Sequence, residues 1–293
     1  MMMLLFDTII ITAVLLSLLI ASFTDLKTRE IPDWISYGLI FFVLCTRLLQ
    51  SLLTKEYTYF TSSLLTFAVF FGFGSLLYYT RQWGGGDAKL LAGLGAAFAT
   101  SPFYITASQI IPFPGILVLN ILIIGAIYAI IFATYLALKH KKSFIIEFKK
   151  LNKEPKMRTT KSIILIIAIA FALISYFYFP ENLKVVGGSF ALILLIMPYL
   201  LVFIKSVELA CMYKTVTPEK LTEGDWVQED VYKGKKLIYK TKPYGIDMKS
   251  IELLKKEKIK HVLIKEGIPF IPSFLLGTIA TLILGKVIFF PVL

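Results

Sequence analysis

Gln82-Trp83-Gly84-Gly85-Gly86-Asp87-Ala88-Lys89-Leu90-Leu91 separates two apolar stretches, 58–79 and 88–111. Each is near the ~20 residues that a bilayer core requires. With bilayer-length runs on both sides, the segment reads as a turning point in a chain that crosses a membrane repeatedly. Its glycines allow a tight turn and close approach of another backbone. An aspartate at the mouth of an apolar helix is costly unless it is paired, solvated or functional. Taken alone, these residues read equally well as a loop followed by an N-capped helix.

Working outward, apolar segments recur at 4–23, 34–53, 58–79, 88–111, 115–138, 162–179, 187–205 and 273–290. The chain is 57% hydrophobic and only 17% charged, whereas a soluble domain carries roughly a quarter charged residues. The expected fold is an all-α polytopic membrane helix bundle of about seven to eight segments. Gly93, Gly95, Ala96, Ala97 and Ala99, like Gly72 and Gly74, are read as small residues that let membrane helices pack closely. Ser101-Pro102 marks an early break in the fourth segment. The first segment carries Asp7 and no leading Lys or Arg, so it reads as a retained membrane helix and not a secretory signal.

The net charge of +12 is clustered, which marks topology and argues against a nucleic-acid footprint. The basic loop 139–161 holds Lys139, Lys141, Lys142, Lys149, Lys150, Lys153, Lys156, Arg158 and Lys161, and is expected on the cytoplasmic side. Counting back puts the amino terminus and Asp7 outside, and 24–33 and 80–88 inside; Lys27, Arg29 and Arg81 agree. Counting forward makes 206–272 cytoplasmic. Its dense mixed charge reads as a small α+β module between the membrane portion 1–205 and a terminal helix in 273–293. Strands are expected at 225–232 and 236–241 around Lys233-Gly234-Lys235, with a helix capped by Asp247 running to about Lys258 and a further strand at 261–264.

The candidate chemistry rests on carboxylates. Asp25, in Thr24-Asp25-Leu26-Lys27-Thr28-Arg29-Glu30-Ile31-Pro32-Asp33, ends the first apolar segment on the same predicted face as Asp87. Two aspartates that share a site hold one proton between them. The ionised member can activate a water while the protonated member polarises a peptide carbonyl, with no covalent acyl-enzyme. Helix-start amides favour charge on Asp87, but a coupled pair permits no firm assignment. Gly84, Gly85 and Gly86 offer unobstructed backbone for an extended substrate. Cys45 and Cys211 form no CxxC, His140 and His261 form no cluster, and no metal or other cofactor is expected. Lys89 reads as a snorkelling cation.

Asp25 followed by Ile31-Pro32 after a first membrane helix, then Gly84-x-Gly86-Asp87-x-Lys89-Leu90, resembles the type IV prepilin peptidase family, whose archaeal branch includes the preflagellin peptidases. The resemblance covers about residues 1–140. It implies an aspartic endopeptidase of the cytoplasmic membrane with Asp25 and Asp87 catalytic. The implied partners are prepilin or preflagellin precursors, whose short basic leader precedes an apolar helix, together with the lipid bilayer and no nucleic acid. Glu30 and Asp33 are then candidates for attracting the leader. Asp33 stands where the family often has Asn. The paired CxxC motifs of bifunctional bacterial members are not recognisable in this sequence, so no methyltransferase activity is expected. A presenilin-type protease shares the GxGD aspartate but adds a Pro-Ala-Leu motif, which this sequence lacks. A cation or proton transporter using Asp25 and Asp87 would need carboxylates near mid-bilayer. A non-catalytic scaffold docking through 206–272 would tolerate loss of both.

Overall fold

A computed structural model describes residues 2–80, 82–105, 111–242 and 245–288. Arg81, the end of the fourth apolar segment at 106–110, and residues 289–293 of the terminal one lie outside the described residues. The helices are α1 (Met2–Thr28), α2 (Asp33–Thr54), α3 (Thr58–Tyr79), α4 (Gly85–Ala97), α5 (Phe113–Lys139), α6 (Lys141–Lys153), α7 (Pro155–Tyr178), α8 (Glu181–Val207), α9 (Met248–Lys256) and α10 (Ile271–Leu284). Among the described residues, α1, α2, α3, α5, α7 and α8 with the π-helical turn continuing it are long and apolar enough to cross a membrane. The chain is a polytopic helical membrane protein with a small strand-containing module, as its composition predicts. It forms two compact units, 1–130 with 216–293, and 131–215.

In the first unit, long-range contacts fix the direction of each helix. Lys89 near the start of α4 binds Asp33 at the start of α2 (Nζ–Oδ1 2.6 Å). At the other end of α4, the Ala97 carbonyl accepts from Arg47 Nη2 (2.8 Å). Along α3, Gly74 meets Ala88, whereas Ser63 donates to the Ala96 carbonyl (2.6 Å). A Cβ on Gly74 would lie 3.0 Å from Ala88 Cα, so glycine there sets how closely α3 and α4 approach. Gly72 faces open space and plays no such part. Although short, α4 therefore runs the depth of the unit, from the end that holds Asp25 to the end that holds Asp7. Nearly all its side chains from Ala88 onward are buried, which explains its run of small residues.

α5 returns in the opposite sense. Phe113 packs on Phe98 (ring centroids 5.9 Å apart), and Gly125 lies against Phe270. α10 then runs beside α5, with Gly277 against Ile121. Asn120 closes its far end, donating to Thr281 Oγ1 and the Lys286 carbonyl (both 3.0 Å) and accepting from the Ile288 amide (2.8 Å). The connection from α1 to α2, the start of α4 and the approach to α10 thus share one end of this unit. The module between carries β2 (Trp226–Val227), β3 (Val231–Lys233), β4 (Lys236–Tyr239) and β5 (Val262–Lys265), after the connecting strand β1 (Tyr213–Val216). β2 pairs antiparallel with β5 (Val227 opposite Ile264), and β3 with β4 around Gly234. The expected strand 225–232 is split between two sheets: the Gln228 amide still donates to the Leu263 carbonyl of β5 (3.0 Å), the chain bends at Glu229, and Asp230 accepts from the Thr241 amide (2.7 Å). Asp247 caps α9 by accepting from the Ser250 amide (3.1 Å), as its position predicts, and Ile251 and Leu254 enter the module core.

The second unit holds the α7–α8 pair, joined at Pro180, with α6 against it through Phe144 and Phe203 (5.6 Å). The basic stretch expected as a loop is largely helical: α6 is amphipathic, with Lys141, Lys142, Lys149, Lys150 and Lys153 away from its apolar stripe.

At the Asp7 end of the first unit, Arg47 is only 3% exposed and makes a second bond to Gln50 Oε1 (2.7 Å). Its Nη1 lies 3.5 Å from Asp7 Oδ1, while Asp7 Oδ2 accepts from the Phe103 amide (2.9 Å). Asp7 therefore has a structural part: it neutralises the cation that closes the carboxyl end of α4. Removing one member of such a pair leaves an uncompensated buried charge. Arg47→Met is expected to destabilise the folded protein by about 3–5 kcal/mol. Thermal unfolding in detergent should report it, with Asp7→Asn/Arg47→Met losing less than the two single variants combined.

Candidate active site

Asp25 lies in the last turn of α1 and is 6% exposed. The Arg29 amide closes that turn on the Asp25 carbonyl (3.0 Å), and Arg29 itself adopts φ 62°, a left-handed conformation that costs energy for a residue other than glycine. Asp25 Oδ2 accepts from the amide of Ile271, the first residue of α10 (3.0 Å), and the Phe270 amide faces the same carboxylate. Arg29 extends its Nη1 to the Gly267 carbonyl (3.0 Å).

Asp87 reaches the same end by a different route. The sequence reading puts the glycines in a loop; here Gly85 and Gly86 form the first turn of α4, with Gly84 as N-cap. Asp87 is the third helical residue and reaches back, its Oδ2 accepting from the Gly84 amide (2.9 Å). This is half of a capping box, in which a carboxylate satisfies a helix-start amide that has no partner inside the helix. The two aspartates are linked through the aromatic rings: Trp83, next to the N-cap of α4, packs on Phe270, next to the residue that holds Asp25. Tyr128 of α5 lies within electrostatic reach of Asp25 and Arg29.

The two motifs meet at a glycine. A Cβ on Gly86 would come within 2.8 Å of Ile31 Cδ1 and 2.9 Å of Ile31 Cβ, so the Ile31 side chain occupies the space a larger residue would need. Gly85 has only ordinary contact, with Tyr78 at 3.6 Å, and a Cβ on Gly84 would crowd Asp87 Oδ2 at 3.3 Å. Pro32 then caps α2, accepting from the Ile35 amide through its carbonyl (3.0 Å). Asp33 is held by Lys89, whose ammonium also lies 4.9 Å from the Tyr37 ring centroid. Glu30 is exposed, and its charge reaches Asp225 of the module, as does that of Glu266. Burial pushes the Asp225 carboxyl up, the Thr222 amide at 2.8 Å pulls it back, and Glu30 and Glu266 push it up further.

Several contributors escape sequence reasoning. Phe270, Ile271, Gly267 and Asp225 lie some 200 residues or more from Asp25 in sequence and carry no motif. Trp83 stands inside the motif, yet its role shows only in three dimensions: its ring packs on Phe270 (5.6 Å) and Phe274 (5.2 Å). The geometry separates the glycines by function. Gly86→Ala should force Ile31 aside at about 1–3 kcal/mol and sharply reduce activity, while Gly85→Ala should keep most of it. Unfolding midpoints and turnover measured on both variants check this.

Residues 12–138 match the sequence pattern of the type IV leader peptidase family. A preflagellin peptidase of Methanocaldococcus jannaschii is 38% identical over 81 residues, covering 28% of this chain and 34% of that protein. The preflagellin peptidase of Methanococcus voltae is 33% identical over 134 residues, covering 43% and 55%. That of Methanococcus maripaludis is 36% identical over 81 residues, covering 28% and 35%. The chain thus spans from about a third to just over half of the length of these relatives. No solved structure matches. The matched stretch contains both Asp25 and Asp87 and stops before the module and α10. Through residues 12–138, this chain is similar to the type IV leader peptidase family.

Proposed function

We propose that this protein is an aspartic endopeptidase that removes the short basic leader from pilin-like or archaellin precursors at the cytoplasmic face of the membrane. The observation that carries the reading is that Asp25 and Asp87, from distant helices, lie at one end of the first unit, each carboxylate accepting from a helix-start amide. The similarity to preflagellin peptidases supports the same substrate class. Lys27 and Arg29 at this end, and the lysine-rich stretch that follows α5 in sequence, support a cytoplasmic orientation.

In the reaction, one carboxylate of the pair, ionised, takes a proton from water, while the other, protonated, hydrogen-bonds the scissile carbonyl oxygen. Water attacks the carbonyl carbon directly. The proton gained by the base then passes to the leaving nitrogen as the C–N bond breaks, and no bond to the enzyme forms. The exposed backbone around Gly84 and Gly85 can hold the substrate extended beside the pair. A basic leader would meet Glu30, with Asp225 and Glu266 beyond it. Asp33 shares the location, but its charge is largely answered by Lys89. Peptidase activity without methylation is the expected scope.

Membranes containing the protein should cleave tagged preflagellin or prepilin precursors. Asp25→Asn and Asp87→Asn should each lose about 10²–10⁴-fold in rate at normal abundance. Retained cleavage in either variant removes that residue from the mechanism, and a wild type that cleaves no precursor moves weight to ion transport. Charge reversal separates the outer carboxylates. Glu30→Lys should raise KM for a basic leader more than Asp33→Lys does, with the difference shrinking at high salt.

A further inference from the structure

We propose that residues 267–271, the passage from the module into α10, form a positioning element for Asp25 and brace the Asp87 loop at the same time. The proposal rests on the peptidase reading above and adds to it a part of the chain that the family match does not cover.

The contacts are of three kinds. The Ile271 amide holds Asp25 Oδ2 at 3.0 Å in a buried position, which fixes one carboxylate oxygen and leaves the other for water or the scissile carbonyl. Four residues earlier, the Gly267 carbonyl accepts from Arg29 Nη1 (3.0 Å). That bond ties down the left-handed residue just past α1, one helical turn after Asp25, a conformation that persists only where surrounding structure holds it. Finally, the Phe270 and Phe274 rings pack on Trp83, the residue before Gly84, and so support the N-cap from which Asp87 takes its own hydrogen bond.

The element is itself anchored. Gly125 leaves room for the Phe270 ring, Gly277 lets α10 lie directly on Ile121, and Asn120 fixes the far end of α10. α10 is thereby secured at both ends by polar side chains from α1 and α5. A carboxylate that must act on a water within a few tenths of an ångström gains from such a support. The module leads into it through Glu266-Gly267-Ile268-Pro269-Phe270.

Ile271 donates through its backbone, so the direct test is an amide-to-ester exchange at the 270–271 linkage, which deletes the N–H and leaves the side chain in place. The expected result is a fall in kcat of about tenfold to a hundredfold, the loss of one hydrogen bond to a charged group, with KM nearly unchanged. An unchanged kcat overturns the proposal, and so does an effect confined to KM. A second measurement needs neither turnover nor the ester. Hydrogen exchange across 268–275 should be faster in Asp25→Ala than in the unmodified protein, and equal exchange overturns the contact. Failure of the unmodified protein to cleave any precursor speaks against the peptidase reading instead, and leaves the exchange comparison to test the clamp.

Discussion

A carboxylate in an apolar bundle and the first turn of an apolar helix share a problem: each presents polar groups that the surroundings do not satisfy. This protein solves the two together. Asp25 takes the opening amide of α10, and Asp87 takes the N-cap amide of its own helix, α4. The partial positive charge of two helix starts is thereby turned on one small region. Most other features of the first unit serve to bring these helix ends to one place. The small residues of α4 let it sink between α2 and α3, Gly86 lets Ile31 close over it, and the aromatic cluster of Trp83, Phe270 and Phe274 joins the two starts.

The opposite end obeys the same rule with the signs changed. There the exposed groups are carbonyls at the carboxyl ends of helices, and donors are required. Arg47 and Ser63 supply them to α4, and Asn120 supplies them to α10. Arg47 in turn needs an anion, which is Asp7. Backbone polarity at helix ends thus accounts for the principal buried polar side chains of this unit.

Local sequence revealed what depends on local sequence. Bilayer-length apolar runs gave the helices, and a glycine-rich break ahead of Asp87, together with Ile31-Pro32 after Asp25, pointed to the pair. Asp247 as a helix cap was equally readable, because its partner lies three residues away. Asp25 and Ile271 are separated by 246 residues, and the donor is a main-chain amide that any residue would carry. No side-chain pattern marks it. Arg47, Asn120 and Asp7 lie within apolar runs, and the partners that explain them appear only in three dimensions. Glycine weakens helices on average, which leaves Gly85 and Gly86 ambiguous in sequence; close packing of Gly86 against Ile31 outweighs that propensity. The break between β2 and β3 is not legible in sequence, because a turn inside a short polar stretch has little local signature.

The Asp25–Ile271 bond also has a consequence in time. Asp25 is synthesised 246 residues before its partner, which follows α2 to α9 and the whole module. Until then Asp25 has no α10 amide to hold it, and the ring of Trp83 lacks Phe270 and Phe274. A nascent chain inserted through α5 would possess both aspartates without the support that aligns them. The two aspartates would then gain their shared support only once α10 is in place, so that the order of synthesis leaves the site unbraced until the module has been made.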